Sequence, residues 1–153
     1  MDKNVVFVDT FFLGPSHCFL ISIGGNCTIC SNVRFVAHDA STKKFLGYAK
    51  IGKIQVKENC FMGDSSIILP GVTIGPNSIV GAVSVVTRDV TSHTVACGNP
   101  AKLVSSVDEY IAKISSLFAN KRIFGKDYFI DKLDARKRQE IIRSIGDTFG
   151  FIV

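Results

Sequence analysis

The feature that most constrains this chain is an apolar residue at every sixth position from residue 56 to residue 86. The fifth residue of each hexad is small. The fourth is in most hexads Asn, Gly or Asp, which tolerate the left-handed backbone of a tight turn. A strict short period is typical of repeat architectures, whose units stack on one another. We therefore predict a β-solenoid of short parallel strands, with inward-pointing side chains at Val56, Met62, Ile68, Ile74, Val80 and Val86.

The same period occurs upstream, from Ile23 to Phe35. Phe35 and Val56 are 21 residues apart, three more than three hexads, so the phase of the repeat breaks between them. The break predicts an inserted loop over about residues 39–55, and insertions in repeat proteins form loops on the working face. Residues 5–22 are apolar but do not follow the period, so we expect them to form an irregular first coil that caps the open end.

Composition favours a globular, cytoplasmic protein. The 153 residues, 46% of them hydrophobic and 20% charged, are enough for a substantial core. The five cysteines contain no CxxC pair, and Cys27 and Cys60 occupy small inward positions, which predicts reduced, buried thiols. Asp9 and His17 interrupt the apolar stretch over 5–23, which argues against an export signal or a membrane span.

The net charge of +5 is spread along the chain rather than concentrated. Residues 1–104 carry nine Lys and Arg against six Asp and Glu, and residues 105–153 carry nine against seven. Because no basic stripe with interleaved aromatics exists, the sequence disfavours nucleic acid as a partner. A modest positive surplus fits a small anionic ligand.

The period is lost near Val90, and a helical pattern follows the turn at residues 98–100. Apolar residues recur at helical spacing from Val107 to Phe118, and a second helix is predicted between an N-cap at Asp134 and a C-cap at Gly146. We therefore divide the chain into a repeat domain, residues 1–104, and a C-terminal helical extension, residues 105–153. The apolar terminus over 149–153 is expected to pack on the repeat domain or on a neighbouring subunit.

Three segments carry a resemblance to a known family. Residues 68–75, 80–90 and 98–102 resemble the hexapeptide-repeat acyltransferases, most of all the capsular-polysaccharide and galactoside O-acetyltransferase branch. The similarity extends from Ile23 to Val104. It implies an all-β left-handed parallel β-helix, a homotrimer with active sites between neighbouring subunits, and acetyl-CoA as donor without a metal.

His38 is the predicted general base. Acyl transfer from a thioester to a hydroxyl needs a group that takes the hydroxyl proton, and imidazole titrates nearest neutrality. His38 lies where the period breaks, and the catalytic histidine of the resembling family also falls just before its loop. Asp39 is expected to orient the imidazole or to contact the acceptor. Adjacent strand residues point to opposite faces, however, and a solvated turn residue is the alternative for Asp39.

The resemblance also implies where the donor binds, on the last coils of the repeat. Backbone groups there would meet the pantetheine arm, and a hydroxyl with two cations would meet the adenosine phosphates. The pantetheine contacts are expected at Gly81 and Ala82, and the phosphate contacts at Thr87, Arg88 and Lys102. Phe61 and Asp64 are expected to line the donor or acceptor channel.

One corner departs from the family pattern. Val83 stands where the family usually has glycine, and a β-branched residue resists positive φ. We therefore expect this corner to be reshaped.

The sequence leaves several functions open. The first is an O-acetyltransferase that acts on a saccharide hydroxyl of a capsule, lipopolysaccharide or other surface-glycan precursor. An N-acetyltransferase of an amino sugar, free or nucleotide-linked, is the alternative. A metalloenzyme like the γ-class carbonic anhydrases needs three converging histidines, two of them close in sequence, whereas His17, His38 and His93 are far apart. We interpret His17 and His93 as structural or surface residues. A non-catalytic solenoid would need neither a base at the phase break nor a pair of cations. The sequence has both, at His38 and at Arg88 and Lys102, and so disfavours this alternative.

Overall fold

Fourteen short strands of two to five residues, joined by turns, occur in the described chain up to residue 106. A computed structural model of the protein describes residues 4–14 and 16–153, and these divide into two compact units, the first ending at residue 110 and the second spanning 111–153. In chain order the strands are β1 (Val6–Phe7), β2 (Ile21–Ile23), β3 (Thr28–Ile29), β4 (Arg34–Phe35), β5 (His38–Asp39), β6 (Lys50–Ile51), β7 (Ile54–Val56), β8 (Phe61–Met62), β9 (Ile67–Ile68), β10 (Thr73–Ile74), β11 (Ile79–Val80), β12 (Val85–Val86), β13 (Thr94–Cys97), β14 (Lys102–Ser106), β15 (Ile123–Phe124) and β16 (Phe151–Ile152). The α-helices are α1 (Lys43–Leu46), α2 (Val107–Ser115) and α3 (Ala135–Ile145), and short 3₁₀ segments span Cys18–Leu20, Phe118–Asn120, Lys126–Tyr128 and Ile130–Lys132.

Successive strands of the first unit enter three different sheets in turn. β7 pairs with β10, β8 with β11 and β9 with β12, always in parallel and always between residues 18 positions apart. Eighteen residues are three hexads, so the chain returns to the same sheet after three strands. The predicted short parallel strands are therefore confirmed.

The insertion lengthens one turn of this coil without changing its register. Ser22 pairs with Gln55, and Arg34 pairs with Ile67, so the partners across the insertion are 33 residues apart rather than 18. The additional residues form a hairpin in which β5 and β6 pair antiparallel. The first coil lies on the same stack, because β1 pairs in parallel with β3.

The six-residue period defines the core. All of the apolar positions predicted to point inward are at most 2% exposed, and their burial is the main favourable term for the unit, roughly 1.5–3 kcal/mol for each large side chain. The small positions are buried as well, with Ser66, Ser78 and Ser84 fully enclosed. The core prediction is confirmed at Ile23, Ile29, Phe35, Val56, Met62, Ile68, Ile74, Val80 and Val86.

The buried thiols belong to the same stack. Cys27 and Cys60 are both buried, and their thiols donate to the carbonyls of Lys57 (3.0 Å) and Gly75 (3.1 Å) in the next coil. The contact with Cys27 and the burial of the site raise the pKa of the Cys60 thiol. A protonated thiol in this position acts as a small packing residue.

Tight corners join the sheets. One set of corners places Asn26, Asn59, Asn77 and His93 at φ between 55° and 61°, and the next places Asn32, Ser65 and Val83 at φ between 56° and 58°. Asparagine adopts this left-handed conformation more readily than most residues, and Asn59 Nδ2 also donates to Asn77 Oδ1 (3.0 Å). Glycine is required beside the second set, since a Cβ on Gly63 would lie 2.4 Å from the Ala82 nitrogen.

The corner at Val83 is not reshaped, so that expectation was wrong. Val83 adopts φ +56°, the same conformation as Asn32 and Ser65 in the coils before it, and its N–H donates to the Asp64 carbonyl (2.8 Å). The stacked coils fix this backbone in the left-handed region, although its valine is 71% exposed and gains little from packing. A β-branched residue in this region is strained.

The repeat continues past the residue where the period fades. β13 joins the sheet of β11 in parallel, and β14 then returns antiparallel to β13. Neither strand follows the six-residue period, which is why the sequence pattern did not predict them.

The described part of the chain contains no helix that is long and apolar enough to cross a membrane.

The predicted helices of the C-terminal region are confirmed. α2 begins at Val107, and Ser106 and Glu109 exchange hydrogen bonds in a capping box. Asp134 caps α3 by accepting from the Lys137 N–H (2.7 Å), and Gly146 ends the helix.

The chain terminus is ordered within the second unit. β16 pairs in parallel with β15, and the Phe151 ring meets Phe118 edge-on with centroids 4.6 Å apart. Packing of this terminus on the repeat domain or on a neighbouring subunit stays a prediction.

The strain at Val83 is directly measurable. Val83→Asn should raise the free energy of unfolding by about 1 kcal/mol, because asparagine relieves the cost of a left-handed valine. Denaturant titration measures the change. Val104→Asn is the matched control, since Val104 is also exposed (60%) but lies in a strand without positive φ, so this change should lower stability. A Val83→Asn variant that loses as much stability as the control would contradict the strain.

Candidate active site

His38 lies at the neck of the inserted hairpin. The chain leaves the core after Ala37, His38 pairs with Ile51 across the hairpin, and the Gly52 N–H donates to the Ala37 carbonyl (3.1 Å). This arrangement fixes the His38 backbone at a corner of the coil and leaves its side chain half-buried. The imidazole is therefore held at the surface without filling a core position.

Asp39 shapes the hairpin. Its Oδ1 accepts the Ser41 N–H (2.9 Å), and among the described residues no hydrogen bond joins Asp39 to the His38 ring. The Ser41 backbone hydrogen bond is the main cause that holds the pKa of Asp39 below its usual value, and the nearby Lys50 charge lowers it further. Asp39 is thus a charged turn-forming residue at neutral pH.

His17 is a residue of this candidate site that sequence reasoning missed. Its ring stacks on that of His38 with centroids 4.8 Å apart and planes 5° from parallel. Both rings line a small pocket of about 130 Å³, together with Phe12, Gly14, Ser16, Phe35, Val36 and Ala37. No sequence signal pointed to this pair, because His17 lies in the off-period first coil, which is brought to His38 by pairing between Phe12 and residues 33–35.

The third histidine lies elsewhere. His93 Nε2 is 3.0 Å from Asp108 Oδ1, at a different set of corners from His38. Within residues 4–14 and 16–153, no three His, Cys, Asp or Glu side chains gather as ligands for a metal ion. Within one chain, His93 therefore does not join His17 and His38.

Arg88 lies on the same corner of the coil as His38. Strand pairing aligns Phe35 with Ile68 and Ile68 with Val86. The Val36 N–H donates to the Ile68 carbonyl and the Leu69 N–H to the Val86 carbonyl, so the alignment continues past the strand ends. Arg88 is therefore two coils from Ala37, a separation of roughly 10 Å at the usual strand spacing.

The segment that carries Lys102 packs beside Arg88. The Ala101 N–H donates to the Val85 carbonyl (2.8 Å), and Arg88 lines a pocket with Ala101 and Leu103. Thr87, Arg88 and Lys102 are all exposed. Their side chains are accessible to an anionic ligand along this edge.

The remaining candidates lie at the neighbouring corner, between the sheets of β11 and β12. Gly81 has no room for a side chain, since a Cβ there would be 2.7 Å from the Cys97 Cβ, whereas Ala82 is exposed. Asp64 is exposed one coil earlier and accepts from the Ser65 hydroxyl (2.8 Å), and Phe61 lies partly exposed in β8. In a single chain, His38 and Arg88 are thus on one corner and the predicted pantetheine contacts on another.

Asp64 also affects a thiol at this second corner. Burial, and then the Asp64 charge, raise the pKa of the Cys30 thiol. Cys30 is therefore a neutral thiol near neutral pH.

Sequence comparisons identify relatives of this chain. A family profile for the hexapeptide repeat of succinyl-transferase matches residues 54–88. The chain is 46% identical over 117 residues to Protein CapG of Staphylococcus aureus, a match that covers 74% of this chain and 67% of that protein. A putative acetyltransferase of Staphylococcus aureus strain Mu50 is 48% identical over 62 residues, which cover 40% of this chain and 31% of that protein. The chain therefore spans two thirds of the first relative and about one third of the second.

Solved structures share the fold. A maltose O-acetyltransferase from Clostridium difficile 630 matches with a TM-score of 0.55 at 25% identity, over 68% of this chain and 67% of that one. A hexapeptide-repeat acetyltransferase from Vibrio cholerae, complexed with acetyl coenzyme A, matches with a TM-score of 0.53 at 25% identity, over 68% of each chain. The chain belongs to the hexapeptide-repeat acetyltransferases, a family of enzymes whose solved members include this complex with acetyl-CoA.

The turn at Asp39 gives a pH-dependent test. Because the pKa of Asp39 is depressed, its hydrogen bond from Ser41 is complete at neutral pH and is lost as the pH falls through the lowered pKa, below the value of about 3.9 for an ordinary aspartate. An NMR titration should give the Asp39 carboxyl and the Ser41 amide the same low midpoint. The transition at Ser41 should disappear in Asp39→Asn, whereas a midpoint at or above the ordinary value would contradict the turn.

Proposed function

We propose that this protein is an acetyl-CoA-dependent O-acetyltransferase that acetylates a saccharide hydroxyl, in a capsule, lipopolysaccharide or other surface-glycan precursor. The observation that carries the proposal is the His38 imidazole, half-buried at the neck of the hairpin and lining a small pocket. The similarity to a maltose O-acetyltransferase supports a hydroxyl as the acceptor group. The family also leads us to propose that the coil is left-handed.

Direct attack on the thioester is the proposed reaction. The acceptor oxygen attacks the acetyl carbonyl carbon while a ring nitrogen of His38 takes the hydroxyl proton. The tetrahedral intermediate then expels the CoA thiolate, and the imidazolium returns its proton to the sulfur. An acetyl ester and free CoA leave, and His38 is again neutral.

The cation edge is the proposed donor site. Arg88 and Lys102 would pair with the phosphates of CoA, and Thr87 would donate a hydrogen bond to them. Their exposure and the pocket between Arg88 and residues 101–103 support this role. Gly81 and Ala82 would give backbone contacts to the pantetheine arm, with Phe61 and Asp64 along the channel.

The separation of these residues supports a homotrimer. His38 and Arg88 lie on one corner of the chain, while Gly81 and Ala82 lie on the next. A ligand held between two subunits would contact the first corner of one chain and the second corner of its neighbour. We therefore propose that each active site is completed by a partner copy of this chain.

The acceptor is identified by a direct assay. Thiol release from acetyl-CoA should be fastest with neutral mono- or disaccharides, and the product should lose its acetyl group in mild alkali as an ester does. An alkali-stable product formed only from amino sugars would overturn the O-acetyltransferase in favour of the N-acetyltransferase.

The proposed base is tested by substitution. His38→Ala should lower kcat by roughly two to four orders of magnitude, the usual contribution of a general base, while thermal stability is retained because the side chain fills no core position. His93→Asn is the matched control, since asparagine tolerates the positive φ of His93 and this residue is remote from the proposed chemistry. Turnover of His38→Ala close to that of the control would show that another group takes the proton.

The donor contacts are tested by their salt dependence. Replacing both Arg88 and Lys102 with Ala should raise KM for acetyl-CoA and make it less sensitive to ionic strength, because screened phosphate contacts are removed. Arg138→Ala, an exposed cation of α3, should leave both quantities unchanged. A fall in kcat with an unaltered KM for acetyl-CoA would contradict a donor-binding role for Arg88 and Lys102.

The oligomeric state is tested by light scattering. The protein should have three times the 16.6 kDa mass of one chain at micromolar concentration. An active monomer would contradict both the trimer and the shared site.

A further inference from the structure

The His38 ring is held by stacking rather than by a hydrogen bond. A histidine that acts as a base is normally oriented by a second group bonded to its other ring nitrogen. Among the described residues, however, neither nitrogen of His38 has a hydrogen-bond partner, and the adjacent carboxylate of Asp39 is bonded to Ser41 instead. The contact that does meet the ring is the parallel face of His17, with centroids 4.8 Å apart.

His17 is itself anchored. Its Nδ1 lies 2.9 Å from the Ser16 hydroxyl, and its carbonyl accepts the Leu20 N–H (3.0 Å) at the start of the 3₁₀ segment. The first coil is fixed beside this point because Phe12 exchanges backbone hydrogen bonds with Val33 and Phe35. The His17 ring is therefore a fixed surface against which the His38 ring can rest.

We propose that His17 is a positioning residue for the reaction and that its flat ring sets the orientation of the His38 imidazole. The inference rests on the proposed function of His38. Stacked aromatic rings favour this range of centroid distance, and a base that turns away from the acceptor oxygen loses a large part of its rate contribution. The requirement is for a planar ring at residue 17 rather than for a nitrogen.

Three substitutions separate a planar ring from a merely bulky or polar side chain. His17→Leu keeps much of the volume without a flat face and should lower kcat by roughly tenfold, with KM for acetyl-CoA nearly unchanged. His17→Ala should lower kcat at least as much. His17→Phe should restore most of the rate, because phenylalanine can stack on imidazole without offering a nitrogen.

The measurements are kcat and KM for both substrates, with melting temperature as a check on folding. A His17→Leu variant with the rate of the unaltered protein would overturn the positioning role, as would a His17→Phe variant as slow as His17→Leu. If His17→Ala unfolds, the comparison of His17→Leu with His17→Phe still tests whether a planar ring is required. His38→Ala is run in parallel, because normal turnover in that variant refutes the proposed base, whereas a normal rate in His17→Leu alone refutes only the stack.

Discussion

The close approach of successive coils at their corners is the constraint on which the structure depends. Four glycines lie where a Cβ would be within 2.4–2.7 Å of a backbone nitrogen in the next coil, so no side chain can be accommodated there. This approach lets the strands pair in parallel at an interval of 18 residues and stacks the apolar residues into one core. It also imposes the left-handed conformation on Val83, which has the side chain least suited to it.

The same rigidity explains how the coil positions the proposed active site. The hairpin after Ala37 adds 15 residues to one turn, and the sheets on either side keep their register. His38 therefore stands at a fixed corner while the rest of the hairpin extends away from the core. Because the coils repeat at a constant spacing, Arg88 lies on the same edge, two coils away, where a long ligand such as CoA could reach both residues.

The parts predicted from sequence are those that repeat. The inward residues from Val56 to Val86 were predicted correctly because each repeat has an apolar side chain at the same position. The helix bounds at Asp134 and Gly146 were predicted because capping residues act within a single turn of chain. Local signals of this kind need no knowledge of distant contacts.

The features that sequence did not predict depend on long-range packing. The conformation of Val83 is imposed by its neighbouring coils, against its own preference. The stack of His17 on His38 arises only when an off-period segment folds over the repeat, and β13 and β14 pair without any period. Within a single chain, the proposed donor contacts also lie on two different corners. This division follows from the three-sheet topology, which the linear motif does not reveal.

A crystal structure of the protein with CoA and an acceptor saccharide tests the central claim most directly. It should place the CoA sulfur and one acceptor hydroxyl together within hydrogen-bonding reach of the His38 ring, about 3–4 Å, with the phosphates beside Arg88 and Lys102. The corner that carries Gly81 should face the same ligand from a neighbouring subunit. CoA bound away from the His38 edge, or an acceptor whose hydroxyl meets a different base, would contradict the account.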